Sequence, residues 1–563
     1  MPTIEVLFSD LQQLVGRKLP TKSEELSDLL AFVKSEVESF EGEKLSIEVK
    51  DGNRPDLWSV EGISRALRGV LGIDEGLAQY VVKGSIEVNI RVDKKLEKIR
   101  PYIASTVVKN INLSSDVIQG FMYLQDKLDQ TYGRKRTRAS IGLYDFDLVK
   151  PPLHYTVAKP TEISFTPLGK ERKMSLKEIV EVHPKGLEYG KLVKAFNVWP
   201  ILVDAKGDVL SFPPIINSAT LGKVTENTRN ILIEVTGLDH STVINTLNLV
   251  TLSVADRGGE IFPVQIQYPY AKSADEVTPN FATSEINLDF NLVNEILGLD
   301  LSKEEVIKLL KKARYEVYGV EERSLQIRIP CYRVDIMHPV DLIEDIAIMY
   351  GYNNIQPSWP GLITFGEISN QVIICDAVRE IMTGLGFQEI LSFSLTAPQN
   401  LFEKMNLVAE PIVEIVNPIN ERFTCLRSWL MPNLMDFLSN NTHISYPQMI
   451  FEVGECAILE QTSITGIVGV EKLACLSTSS TANFSQIQAI LEAFLRNLDL
   501  KCEINETTHG SFIDGRVGAI FIDHRAVGFI GEINPRVLEA WKLENPVIGF
   551  EVDLGKMFDF KKD

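Results

Sequence analysis

Positive charge is in short supply in this chain. Its 563 residues carry 57 Lys and Arg against 76 Asp and Glu, a formal net charge of -19. A protein that held nucleic acid alone would ordinarily be basic, because phosphate neutralisation dominates that affinity. Either nucleic acid is not the main partner, or another chain supplies most of the positive charge. Cysteine is also sparse. Six cysteines stand at 331, 375, 425, 456, 475 and 502, none at Cys-x-x-Cys spacing and none paired with His at zinc-ligand spacing. Reduced, mostly buried thiols are expected rather than a disulfide framework or a zinc site. The seven histidines are scattered, so residues such as His443 and His509 read as structural. No P-loop and no dinucleotide-binding Gly fingerprint is present. No apolar run approaches the roughly 20 residues of a membrane helix. The start, Met1 to Glu5, lacks the basic stretch and apolar core of a secretory signal. A cytoplasmic protein is expected. Solenoid repeats and low-complexity segments are also missing.

What is present is ordinary globular composition, 45% hydrophobic and 24% charged, at a length that predicts about three to five domains. Four regions separate. Residues 1–88 read as an N-terminal α/β domain, with an extended segment Thr3–Phe8, a helix from about Ser23 and an alternating strand Lys44–Lys50. The turn-rich Asp51–Asp56 follows, and then an amphipathic helix marked by Leu57, Val60, Ile63, Leu67 and Leu71. Residues 89–275, rich in Val, Ile, Thr and Tyr and broken by Gly and Pro, read as a mixed-sheet domain with few long helices and one helical interlude at Asp116–Tyr132. Residues 276–355 form a small module. Ser302 and Glu305 make a capping-box pattern, a strand pair spans Tyr315–Val320 and Ser324–Pro330, and a second helix begins after Pro339. Residues 360–563 read as α+β of antiparallel character, with helices over Val372–Leu385 and Arg427–Asn440 and strands at Ile390–Thr396, Met449–Gly454 and Val547–Val552. The fold class is therefore multidomain α+β.

The strongest chemical signal lies in the third region. Asp341, Glu344 and Asp345 stand at i, i+3 and i+4 on the second helix and share a face, and Asp335 precedes it. Converging carboxylates with no Lys or Arg on the helix call for a cation, and hard oxygen ligands suit magnesium. The alternative is that acidic residues decorate a helix N-terminus because its dipole favours them there. A basic island, Arg134, Lys135, Arg136 and Arg138, stands out in the acidic chain. It is either a solvated loop or a contact for nucleic-acid phosphates.

Taken together, these strings resemble one family. Pro330 to Ile336, His338 to Ala347 and Tyr350-Gly351-Tyr352 look like the magnesium-binding module of the phenylalanyl-tRNA synthetase beta subunit, archaeal and eukaryotic type. Asn53 to Asp56 with Glu61 to Ile63 and Arg65 to Leu67 resembles the family's first region. Arg138 to Gly142 with Asp145, Pro213 to Ser218 and Glu234 to Gly237 resemble its editing-type domain. Leu426 to Ser428, Ile450 to Gly454 and Ile530 to Pro535 resemble its class-II-synthetase-like domain. Counterparts of the OB-fold and anticodon-binding domain of the longer bacterial beta chain are not visible.

The resemblance implies a cytoplasmic alpha-2 beta-2 heterotetramer that attaches phenylalanine to tRNA(Phe) with ATP. It implies a magnesium ion held by Asp335, Asp341, Glu344 and Asp345 and shared with the alpha subunit. It also implies that beta assembles with alpha and edits mischarged Tyr-tRNA(Phe). A class II synthetase binds ATP through an Arg two residues before a Glu on one strand, and a Glu-Arg pair on another, since the guanidinium fork pairs with phosphate. Here Val453 and Val552 stand in those slots, so the fourth region reads as a retained fold without catalytic residues for aminoacylation. Asn217 is the polar candidate for editing, with bonding to backbone as its alternative. The other readings of the whole chain are a standalone tRNA-binding or editing module and a purely structural scaffold subunit.

Overall fold

The computed structural model describes residues 2–270, 275–359, 361 and 364–558. The chain divides into two compact units, Met1–Trp359 and Pro360–Asp563.

The first unit opens with a three-stranded antiparallel sheet in the order Thr3–Leu7, Lys44–Val49, Ser35–Glu41. Alternation along Lys44–Val49 sends Leu45, Ile47 and Val49 to the core and its polar residues outward. The extended segment ends one residue early, because Phe8 begins a helix, Phe8–Val15. Helix Val60–Val70 follows, with Ser59 as its N-cap accepting the Gly62 N–H.

The chain then enters a ten-stranded mixed sheet. Its path runs from Ile216–Asn217 and Val209–Phe212 through Trp199–Val203, Leu153–Ala158, Val88–Val92, Glu260–Gln267 and Tyr102–Lys109 to Ile231–Gly237 and Ala139–Asp145, and the tenth strand, Asp275–Thr278, pairs with Glu260–Gln267 off this path. Val88–Val92 pairs in parallel with both its neighbours, while Ile231–Gly237 is antiparallel on both sides. Two helices of sixteen residues each, Ser115–Gln130 and His240–Ala255, belong to this region. The second was not legible in the sequence. Eleven of its residues are buried, so it has no polar stripe to set a 3.6-residue period. A three-stranded sheet, Ser284–Asp289, Ser324–Ile329 and Glu316–Val320, completes the unit. It packs with helices Lys303–Lys312 and Pro339–Tyr350. Ser302 and Glu305 form the expected capping box.

The second unit is a seven-stranded sheet, ordered Gln388–Glu389, Gln448–Leu459, Ile467–Thr478, Val547–Asp553, Arg525–Ile533, Phe512–Ile522 and Glu503–Glu506. Every pair is antiparallel except the first, which is parallel. Phe451, Val453, Leu473, Phe550 and Val552 point to one core with helices Asn370–Gly384 and Phe484–Asn497. Ile450, Ala474, Leu476 and Val547 point to another with helix Met431–Asn440. The strand expected over Ile390–Thr396 is reduced to Leu395–Thr396, paired with Cys425–Leu426.

Candidate functional site

A cavity of about 210 Å3 opens where the mixed sheet meets the loop after Val209–Phe212. Leu143, Leu168 and the run Phe212 to Ile216 give it apolar walls. Its polar lining comes from Gln125, Asp126, Ser140, Ser211, Asn217, Arg136, Lys185 and Glu234.

Glu234 sits in the middle of strand Ile231–Gly237, 2% exposed. Its Oε2 accepts from Tyr144 Oη at 2.6 Å, while Oε1 has no partner. Burial pushes its carboxyl up to about 7. The residue opposite in the sheet is Gly142. A Cβ there would stand 2.2 Å from Tyr144 Oη and 2.5 Å from Glu234 Oε2, so glycine is what lets this pair form. Ser211 Oγ is buried without a partner as well. Below them Arg100, wholly buried, donates to Thr236 Oγ1 at 2.9 Å and Ser140 Oγ at 3.0 Å. A carboxylate oxygen and a hydroxyl left unpaired and buried at one cavity are costly unless a ligand satisfies them.

The sequence candidates fall around this cavity in different ways. Asn217 lines it, its Nδ2 only 3.5 Å from Leu143 O, a contact at the limit of a hydrogen bond. The basic island divides. Arg134, Lys135 and Arg136 all take left-handed backbone, with φ of 48°, 51° and 63°. This tight reversal turns Arg136 inward. Its Nη1 donates to Pro214 O at 3.1 Å and Ile215 O at 3.0 Å, and its guanidinium lies 4.3 Å from the Tyr189 ring centre. Its Nε stands 2.9 Å from Asp129 Oδ2, as an ion pair without hydrogen-bond alignment. Arg138 pairs with Asp239 at 3.2 Å. Arg134 and Lys135 remain exposed. Arg136 is thus a wall of the cavity. Glu234 and Ser211 were missed in the sequence. The available signal was a single carboxylate inside an otherwise apolar strand.

The four carboxylates expected to share a metal do not converge. Arg333 Nε and Nη2 grip Asp335 at 2.9 and 2.7 Å, and Nη2 also meets Asp345 Oδ2 at 2.8 Å. Asp345 accepts from Tyr315 Oη at 2.5 Å. Burial is the largest influence and opposes its charge, but Arg333, Arg54, the Tyr315 hydroxyl and Lys34 together outweigh burial and hold the carboxyl below its ordinary value. Arg54, itself paired with Asp56 at 2.8 Å, lies 3.9 Å from Asp335. Asp341 folds back to accept the N–H groups of Met337 and His338, both at 2.8 Å, which caps the helix. Glu344 faces solvent and meets Lys34 at 3.1 Å. Among the described residues no group of three or more His, Cys, Asp and Glu is placed to hold a metal. The set of Asp335, Asp341, Glu344 and Asp345 therefore does not fit magnesium as a cluster. The offsetting cations come from Arg333, outside the helix, and from Arg54 and Lys34, remote in sequence.

In the second unit, the sheet face towards helix Met431–Asn440 carries a different arrangement. Arg427 Nη1 meets Glu452 at 2.7 Å, both buried, and donates to Ser392 Oγ at 2.9 Å. Lys472 meets Glu551 at 3.2 Å, and Glu551 Oε2 accepts the N–H groups of Leu430 at 3.0 Å and Met431 at 2.9 Å. The cations on this face are thus bound to carboxylates of the same chain. Val453 and Val552 point away, into the opposite core. Strands Gln448–Leu459 and Val547–Asp553 contain no Arg or Lys at any position, so no choice of register supplies a phosphate-binding arginine from them.

The comparisons agree with this architecture. Residues 102–255 match the B3/4 domain model, 286–352 the tRNA synthetase B5 domain, and 358–554 the phenylalanyl tRNA synthetase beta chain CLM domain. The chain is 43% identical over 562 residues to the phenylalanine–tRNA ligase beta subunit of Pyrococcus furiosus, covering 99% of this chain and 100% of that one. It is 40% identical over 563 residues to the same subunit of Archaeoglobus fulgidus, covering 99% of each. A crystal structure of an N-terminal fragment of the phenylalanyl-tRNA synthetase beta subunit from Pyrococcus horikoshii superposes with a TM-score of 0.60 at 40% identity, covering 62% of this chain and all of the fragment. This chain belongs to the phenylalanine–tRNA ligase beta-subunit family.

Proposed function

We propose that this chain is the non-catalytic, editing partner in a phenylalanine–tRNA ligase complex. An alpha subunit activates phenylalanine with ATP and charges tRNA(Phe), and the cavity around Glu234 hydrolyses Tyr-tRNA(Phe). The need is physical. A phenylalanine pocket rejects tyrosine poorly, because tyrosine only adds a hydroxyl, whereas a site built to hydrogen-bond that hydroxyl separates the two well.

The observation that carries this reading is the unpaired, buried Glu234 Oε1 at an aromatic-sized cavity. As a carboxylate it accepts the tyrosine O–H, a charge-assisted bond that phenylalanine cannot make. Ser211 Oγ offers a second partner. Asn217 Nδ2, held only by a long contact, is free to turn towards the ester carbonyl and position it. Arg134 and Lys135, exposed beside Arg136, suit the phosphates near the tRNA 3′ end. In the second unit Leu391, Phe393, Val416 and Ile419 are exposed apolar side chains, which suits a surface covered by the alpha chain. An alpha-2 beta-2 assembly in the cytoplasm is the form this reading takes. No helix among the described residues is long and apolar enough to cross a membrane. Magnesium has no place in this reading, since Asp341 caps its helix and Glu344 meets Lys34.

The test is hydrolysis of preformed Tyr-tRNA(Phe) by the co-purified alpha–beta complex. Hydrolysis by the complex that Glu234→Ala abolishes supports editing here. A complex that charges phenylalanine but leaves Tyr-tRNA(Phe) intact would make this subunit a scaffold. Hydrolysis by the chain purified without any alpha partner, and no co-purification, would make it a standalone editing module.

A further inference from the structure

A second cavity in the first unit, about 30 Å3, lies between helix Val60–Val70 and the turn after helix Lys303–Lys312. Six cationic side chains line it against two carboxylates, Asp56 and Asp345. Three of its buried guanidinium groups have carboxylate partners. Arg54 pairs with Asp56, Arg333 with Asp335 and Asp345, and Arg65 with Asp256. Arg314, 7% exposed, has no carboxylate within 4.0 Å among the described residues. Its Nη1 donates to the backbone carbonyl of Asp74, and its Nε has no partner. Tyr332, 4% exposed, lines the same cavity, and its Oη has no partner either.

The position of Arg314 is built rather than incidental. Its backbone is left-handed, at φ 72°. Its stem crosses Gly69 so closely that a Cβ there would stand 2.6 Å from Arg314 Cδ. Arg314 feels the Asp74 carboxylate only from beyond ion-pair distance, and two unused donors in one cavity are costly.

We propose that this cavity binds one small monovalent anion of chloride size, with Arg314 Nε–H and Tyr332 Oη–H donating to it. A water would accept from both donors, but it leaves Arg314 unneutralised and must place its own hydrogens against a mainly cationic wall whose two carboxylates are already engaged. An anion needs no acceptor and supplies negative charge at contact distance, which Asp74 does not. Its effect would be to tie the first helical layer to the turn at Arg314, apart from the editing cavity.

The experiment uses the full chain with its alpha partner. Crystals grown or soaked in sodium bromide should show an anomalous peak within hydrogen-bond distance of Arg314 Nε and Tyr332 Oη. Tyr332→Phe should lower its occupancy. The first melting transition should rise by about 2–4 °C when glutamate, too bulky for the cavity, is replaced by chloride at equal ionic strength. Tyr332→Phe should remove most of that difference. A site holding only water, without anomalous signal and with equal melting in both salts, overturns the proposal. The bromide result on the unsubstituted protein decides the matter even where a variant fails to fold.

Discussion

The cavity around Glu234 and the polar face of the second unit's sheet both bury carboxylates and cations, yet they differ in how completely those groups are matched. On the sheet face, Glu452 has Arg427 and Ser392, and Glu551 has Lys472 and two backbone N–H groups. In the cavity, Glu234 Oε1 and Ser211 Oγ are left over. Among the described residues, every buried side-chain polar atom without a partner belongs to the first unit. A folded chain tolerates orphaned polar groups where a ligand repays them, and closes them internally where chemistry has been given up. The contrast sets a cavity with unmatched polar groups against a sheet face whose carboxylates and cations are paired within the chain.

The comparison predicts effects of opposite kind. The largest is on stability. Glu452→Gln should destabilise the second unit by about 3–5 kcal/mol, because it leaves Arg427 buried without its counter-charge. Chemical denaturation read by a probe in that unit measures this, and deacylation by the surviving folded complex should be unchanged.

Glu234→Gln should act the other way. The folded carboxyl of Glu234 titrates at about 7, above its ordinary value of 4.5, chiefly through burial. A raised pKa means that the stabilising contribution is present below about 4.5 and is lost as pH rises through about 7. The variant should therefore remove a stability decline of up to about 1.4 kcal/mol per pH unit within that window. Denaturation midpoints at pH 5, 6, 7 and 8 check it. Asp129, also raised to about 7 by burial, will leave a residual slope.

A smaller effect concerns the basic island. Replacing Arg134 and Lys135 by Gln should lower the log–log salt slope of Tyr-tRNA(Phe) hydrolysis by about one unit per lost phosphate contact. Arg136→Gln should change the maximal rate instead, since Arg136 braces the cavity wall. Equal behaviour of the two sets would return the island to an ordinary solvated loop.

The smallest effect is expected at the module helix. Asp341→Asn with Glu344→Gln should leave magnesium binding by the complex within about tenfold of the unsubstituted value, at or below the smallest loss an outer-shell partner causes, because neither carboxylate belongs to a ligand cluster. Asp345→Asn should instead lower the melting temperature, because the buried Arg333 loses one of its two counter-charges.

Much of this was legible in the sequence where the controlling contacts are local. The capping box at Ser302, the helix after Pro339 and the antiparallel character of the last region all rest on neighbours a few residues apart. The metal reading of Asp335, Asp341, Glu344 and Asp345 rested on helical spacing too, but the outcome was decided by Arg54 and Lys34, about 280–310 residues upstream in the chain. Arg333 was in plain view two residues before Asp335, and spacing could not show that its fork would reach Asp345 as well. Asp341 behaves as the helix-dipole alternative had it, capping a first turn. Glu234 escaped because its strand is buried on both faces, so it shows no alternation to mark a polar residue as out of place.

In the function proposed above, the unpaired acceptor on Glu234 reads a tyrosine hydroxyl. The most direct test of this is the ratio of hydrolysis rates for Tyr-tRNA(Phe) and Phe-tRNA(Phe), measured on the alpha–beta complex with Glu234 intact and with Glu234→Gln. The account predicts a strong preference for the tyrosyl ester that rises with pH through about 7 and falls by about tenfold or more in the variant, with its pH dependence gone. A ratio that is the same in both proteins across that range would contradict it.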